Sequence, residues 1–297
     1  MSLVLSNGRE ARNPGQAPAV KHQQLIVTLY GLYCREPGSA LPVAALVALL
    51  GDLGFDPPGV RSAVSRLKAK GVLQSTRASG AAAYELGGSL QAVFADGDQR
   101  IFSERREPAT DDWLLAVFSV PEAQRHLRHQ LRALLTGLGF GTVSPGVWIA
   151  SAGVADRARH LITERGLAEF VEFFRGDFLT NGDISAKVPI WWDLASIDSL
   201  MGEFLEYYGD AAQLWGSRLE GLSGTPSDAA ADINREAFRY YVPMLTLWRR
   251  LPYRDPNLPL HYLPKDWKEP AARRAFVRTH ALLSPLAAIH ARQVISA

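Results

Sequence analysis

Apolar residues recur at helical spacing through Leu25, Ile26, Leu29, Leu32 and Tyr33, so the pattern predicts a helix from about Lys21 to Arg35. Pro37-Gly38 ends it. A second apolar stretch, Pro42 to about Leu50, predicts another helix with Ser39 as its candidate cap, and Gly51-Asp-Leu-Gly54 makes a tight turn after it. The third helix is the best delimited. Asp56 before Pro57 has the form of an N-cap followed by proline at the first helical position, and Gly71 has the form of a stop. Between them Val60, Val64 and Leu67 fall on one stripe, while Ser62, Ser65, Arg66 and Ala69 point the other way, flanked by Arg61, Lys68 and Lys70. Val72 to Arg77 and Ala82 to Leu86 then predict two short strands around Ala78-Ser-Gly80, with Arg77 on the ribbon they form. Helix, helix, turn, helix and ribbon is the order of a winged helix-turn-helix unit.

Residues Leu90 to Asp111 are polar and charged and predict a connector holding at most one short helix. Trp113 to Val120 is a continuous apolar run suited to a buried strand, and Leu127, Leu131, Leu134, Leu135 and Leu138 mark a helix between Glu122 and Leu138. Gly146 to Ala150, Asp156 to Arg165 and Glu169 to Phe174 then predict strand, helix and strand. This alternation predicts a small ferredoxin-like α+β sandwich. From Trp191 onward the pattern is helical: Ile197, Leu200, Phe204, Leu205 and Tyr208 line a helix running towards Leu219. Asp228 to Leu251 gives another, and Ala271 to about Ile295 a third, interrupted by Pro285. Between the last two, four prolines from Pro252 to Pro264 exclude a regular helix, and the aromatics there predict a strap that packs onto its neighbours and ties the two helices together. The chain is thus expected to be an α+β protein: an arm 1–20, a winged helix 21–88, a connector 89–111, a ferredoxin-like domain 112–190 and an all-helical C-terminal domain 191–297.

Composition narrows the function classes. The 297 residues carry a formal charge of only +2 and 47% hydrophobic residues, ordinary values for a folded chain of two or three domains. Charge is concentrated instead: between Gly59 and Tyr84 lie Arg61, Arg66, Lys68, Lys70 and Arg77 without one carboxylate. Small polar residues among cations suit a surface that enters a DNA groove, where arginine takes a phosphate or a guanine edge. The competing reading is an amphipathic helix with a solvated charged face; the ribbon beside it favours DNA. Cys34 is the single cysteine and sits near the end of an apolar helix, so no intramolecular disulfide forms and a reducing, cytoplasmic setting is expected. No apolar run is long enough to span a bilayer.

Catalytic signatures are scarce. There is no phosphate-cradling P-loop. Gly137-Leu-Gly-Phe-Gly141 follows a helix and precedes a strand, the reverse of a dinucleotide fingerprint, and Gly221-Leu-Ser223-Gly lies between helices rather than at a nucleophile elbow. His126 and His129 share a helix face, but Arg125, Arg128 and Arg132 surround them and oppose a metal cation. No metal site and no cofactor are expected. Trp191-Trp192 reads as packing between domains in preference to a ligand platform.

The run Val60-Arg-Ser-Ala-Val-Ser-Arg-Leu-Lys-Ala-Lys-Gly-Val-Leu73 resembles the recognition-helix segment of the PaaX family, the phenylacetate-catabolism repressors of bacteria. Asp255-Pro-Asn-Leu-Pro followed by Leu263-Pro-Lys-Asp-Trp267 is similar to the family's C-terminal signature, so the resemblance spans roughly Lys21 to Arg292. It implies a repressor of an aromatic-acid catabolic operon whose middle domain is similar to the small ferredoxin-like nuclease of CRISPR adaptation. Those nucleases carry an aspartate at the end of the first strand, whereas this chain has Phe118-Ser-Val120, which argues against metal-dependent hydrolysis. The resemblance also implies an aryl-acyl coenzyme A effector, typically phenylacetyl-CoA. Arg249, Arg250, Arg254 and Lys265 offer cations for its phosphates, and Tyr262 and Trp267 an aromatic slot, the alternative being that these cations simply face solvent. A homodimer reading two half-sites of double-stranded operator DNA is expected, since one helix supplies few base contacts. The rival class is an enzyme acting on CoA thioesters or nucleic acid, for which no carboxylate pair or nucleophile and base can be assembled.

Overall fold

The computed structural model describes residues 21–36, 38–88, 90–103, 111–179, 183–221 and 227–297. The expected arm 1–20, part of the connector and the Ser223 loop lie outside these. In chain order the first elements are α1 (His22–Tyr33), β1 (Ala40–Pro42), α2 (Val43–Asp52), α3 (Pro57–Ala69), β2 (Leu73–Ala78), β3 (Ala81–Leu86) and α4 (Leu90–Phe102). Next come β4 (Trp113–Phe118), α5 (Arg125–Gly137), β5 (Gly141–Ser144), β6 (Val147–Ser151), α6 (Ala155–Glu164) and β7 (Val171–Gly176). The remainder is helical: α7 (Val188–Trp191), α8 (Leu194–Tyr208), α9 (Ala211–Glu220), α10 (Ser227–Trp248) and α11 (Glu269–Ser296). Among the described residues, helices and two small antiparallel sheets share the chain. They form two compact units, Met1–Ser103 with Phe204–Arg249 and Arg274–Ala297, and Glu104–Glu203 with Arg250–Arg273.

In the first unit, α1, α2 and α3 bury Leu25, Ile26, Leu29, Leu46, Leu49, Leu50, Val60 and Leu67 against one another. β3 lies between β1 and β2, antiparallel to both. The β2–β3 hairpin closes with Ala78 opposite Ala81, and both loop residues have positive φ, 49° at Ser79 and 83° at Gly80. That is the two-residue turn whose twist matches the strands. β1 was not expected; three residues are too few to show alternation, and only pairing with β3 reveals them. α10 and α11 contribute much of the rest of this core. Trp248 stacks on Phe276 at 4.7 Å between ring centres, the Thr246 hydroxyl donates to that of Thr28 at 2.8 Å, and an Arg249 Nη donates to the carbonyl of Gln24 at 3.1 Å.

α11 runs unbroken through Pro285, where an interruption was expected. Proline removes one donor to the carbonyl four residues earlier, but both Pro285 and Ala281 are exposed, so water can serve that carbonyl. Conversely, the single helix expected from Ile197 towards Leu219 is two helices: it stops at Gly209-Asp210, residues that favour turns over helix interiors.

The second unit is built on a four-stranded antiparallel sheet in the order β5-β6-β4-β7, with α5 joining β4 to β5 and α6 joining β6 to β7. Leu114, Ala116 and Phe118 of β4 face Leu131, Leu135, Ala158 and Ile162 in one apolar core. The glycine-rich stretch is explained here. Gly139 has φ +90°, and a Cβ on Gly141 would lie 2.6 Å from the ring of Trp192, whose Nε1 donates to the carbonyl of Gly139 at 2.9 Å. Trp113 meets the rings of Trp191, Trp192 and Tyr262. The tryptophan pair thus packs within one unit, and the proline-rich strap packs on the sheet's own elements rather than serving only to tie α10 to α11.

Candidate nucleic-acid interface

The start and stop of α3 fix which way its side chains point. An Asp56 carboxylate oxygen accepts from the backbone N–H of Gly59 at 3.1 Å, and Pro57 opens the helix. At the far end Gly71, φ +69°, donates to Lys68 O at 2.9 Å while Val72 donates to Leu67 O at 2.9 Å. This pair of bonds is a Schellman stop, which only a residue tolerant of positive φ closes easily. With Val60, Ala63, Val64 and Leu67 buried, the opposite side must face solvent, and Arg61, Ser62, Ser65, Arg66, Lys68 and Lys70 are all exposed. Arg77 is exposed on β2.

None of the five cations is paired with a carboxylate among the described residues. Arg66 donates instead to the Ser62 hydroxyl at 2.8 Å, one turn back, and Lys68 Nζ lies 5.5 Å from the centre of the Tyr84 ring. A cation held over an aromatic face or by a hydroxyl keeps its full charge and most of its donors for a further partner. Tyr84 went unnoticed in the sequence. Its place follows from register, because β1 pairs Leu41 with Tyr84 and so brings β3 beside α2 and α3. A cleft of about 290 Å³ opens there, lined by Val43, Val47, Val64, Arg61, Ser65 and Lys68 among others.

The residues expected to take an effector fall in both units. Arg249 is half-buried in the first unit, bonded to Gln24, whereas Arg250, Arg254, Tyr262, Lys265 and Trp267 belong to the second. Arg250, Arg254 and Lys265 are exposed, Trp267 is buried, and Tyr262 lies with its ring centre 4.1 Å from that of His261. His126 and His129 are exposed on α5. Cys34 is buried, and burial pushes its thiol up to about 11. No described helix is long and apolar enough to cross a membrane.

Comparison with known proteins covers the same ground. Three family profiles match in succession: PaaX-like protein on residues 21–90, PaaX protein central Cas2-like domain on 106–188, and PaaX-like protein C-terminal domain on 192–293. The chain belongs to the PaaX family. All of α3 and both ribbon strands fall inside the first match, so the whole cationic face lies within PaaX-like sequence. The transcriptional repressor PaaX of Escherichia coli (strain K12) is 25% identical over 276 residues, covering 91% of this chain and 83% of that relative. Among solved structures, an uncharacterized protein from Mycobacterium tuberculosis has a similar fold, with a TM-score of 0.51 and 20% identity over 90% of this PaaX-family chain and 97% of the other.

Proposed function

We propose that this PaaX-family chain is a DNA-binding transcriptional repressor of an aromatic-acid, phenylacetate-type catabolic operon, acting in the cytoplasm. One observation carries the reading: Arg61, Arg66, Lys68, Lys70 and Arg77 stand exposed on one helix and its adjoining ribbon, without carboxylate partners among the described residues. In this reading α1 to α3 with β1 to β3 are a winged helix, α3 enters the major groove and Arg77 on the wing meets the backbone beside it. Ser62 and Ser65 leave room for close approach. A homodimer presents two such helices to two half-sites.

The middle elements are read as a ferredoxin-like domain, supported by the strand order β5-β6-β4-β7 with helices on one face. Phe118, buried at the end of β4, stands where a nuclease of that shape needs a carboxylate, so the reading is a regulator and not an enzyme. An aryl-acyl-CoA such as phenylacetyl-CoA is the proposed effector. Arg250, Arg254 and Lys265 would take its phosphates beside Tyr262 and Trp267. It releases DNA by favouring an arrangement of the two reading helices that no longer fits the operator, which demands unequal affinity for the two arrangements.

The test is a gel-shift with the duplex upstream of the protein's own gene, with and without phenylacetyl-CoA. A retarded, salt-sensitive complex that the thioester dissolves supports the whole reading. A complex indifferent to the thioester removes the effector, and no specific complex removes the repressor.

A further inference from the structure

Resting on the DNA-reading role of α3, we infer that the cleft beside it reads a thymine 5-methyl group. The cleft, about 290 Å³, has an apolar floor that includes Val43 and Val47 of α2 and Val64 of α3, and a rim formed by Arg61, Ser65 and Lys68. Val43 and Val47 are half-buried, so part of the floor faces out. The cationic rim matches the charge of a duplex. The floor does not: a phosphate oxygen seated on the valines would lose its water and gain no donor from the floor, the donors standing at the rim. Base edges in the major groove present nitrogen and oxygen donors and acceptors with one apolar exception, the thymine methyl. It alone suits a valine floor set among groups that hold phosphates and purine edges. Arg61 at the rim then takes a neighbouring guanine or phosphate, and Val43 and Val47 become specificity-determining residues on a helix that does not itself enter the groove.

The experiment uses the full-length protein and the duplex it enriches from a random pool. Each dT in turn is replaced by deoxyuridine, which differs only by the missing methyl. One thymine in each half-site is expected to show a loss of about fourfold in affinity, the value of one buried methyl-sized group. In Val47→Ala that loss should fall below twofold, and Val43→Ala serves as a second variant. The inference is overturned if no replacement weakens wild-type binding by twofold, or if the loss is unchanged in both variants. Should the pool yield no enriched sequence, DNA reading by α3 fails before any uracil is introduced and the inference falls with it. Val43→Ala keeps the test of the cleft open if Val47→Ala does not fold, and a wild-type scan with no loss overturns the inference by itself.

Discussion

His290 Nε2 on α11 lies 2.7 Å from a carboxylate oxygen of Asp52, the last residue of α2, although 238 positions separate them. The other oxygen takes Arg235 of α10 through both Nε at 2.7 Å and an Nη at 2.6 Å. One carboxylate thus ties the helix behind α3 to two helices from the far end of the chain. Asp52 and His290 are each only 11% exposed at the side chain, against 55% for Arg235.

Replacing that carboxylate leaves its partners behind. Asp52→Asn preserves shape but gives up the carboxylate's charge-assisted bonds to Arg235 and puts an NH2 group where one acceptor oxygen stood, and is expected to lose about 1–3 kcal/mol. At about 2–4 °C per kcal/mol for a chain of this size, the unfolding midpoint should fall by several degrees. Arg235→Gln should cost less, because water reaches its site. Thermal unfolding of both variants checks the order.

The contact between Gly141 and Trp192 allows no side chain. Gly141→Ala would push a methyl into the indole and the Trp191 carbonyl, 2.6 and 2.8 Å away, and is expected to destabilise by about 1–3 kcal/mol. Gly137→Ala, in α5 with nothing within 4 Å of its Cβ position, should be neutral or stabilising by up to about 1 kcal/mol. Denaturant titrations of the pair separate packing from propensity.

His280 gives a pH dependence of known sign. Burial lowers its pKa from 6.5, with Tyr241 Oη 2.8 Å from Nδ1 and the Phe102 and Phe276 rings at 5.0 and 5.6 Å. The unfolded chain takes up the proton first, so the stability of the neutral form is present above pH 6.5 and drains as pH falls below it. Urea midpoints between pH 8 and 5 should decline more steeply for the wild type than for His280→Asn; equal slopes would remove His280 from the account.

Much of this was legible in the sequence where periodicity and punctuation coincide. Asp56, Pro57 and Gly71 bracket α3 because each acts on its own backbone, and the stripe of Val60, Val64 and Leu67 fixes its outward side without help from the rest of the fold. β1 and β5 escaped because strands of three and four residues exist only through pairing, Leu41 with Tyr84 and Gly141 with Ile149. For the same reason Tyr84, Val43 and Val47 could not be read as neighbours of Lys68. Nothing local at Asp52, Arg235 or His290 points to the other two. Their meeting is a property of tertiary packing.

Salt dependence distinguishes the roles of the cations on α3. Lys68 and Lys70 are exposed point charges suited to phosphates, so Lys68→Ala and Lys70→Ala should each reduce the logarithmic salt slope of binding by about 0.9 and weaken all sequences alike. A slope unchanged in both would remove them from the interface.

The most direct measurement is the affinity of full-length wild-type, Arg61→Ala and Arg66→Ala protein for the upstream duplex, with unfolding midpoints recorded alongside. Both arginines are exposed, so folding should be untouched while binding weakens by about 1–3 kcal/mol where either meets a base. Variants that fold normally and bind the duplex as tightly as the wild type would contradict the assignment of α3 as the reading helix.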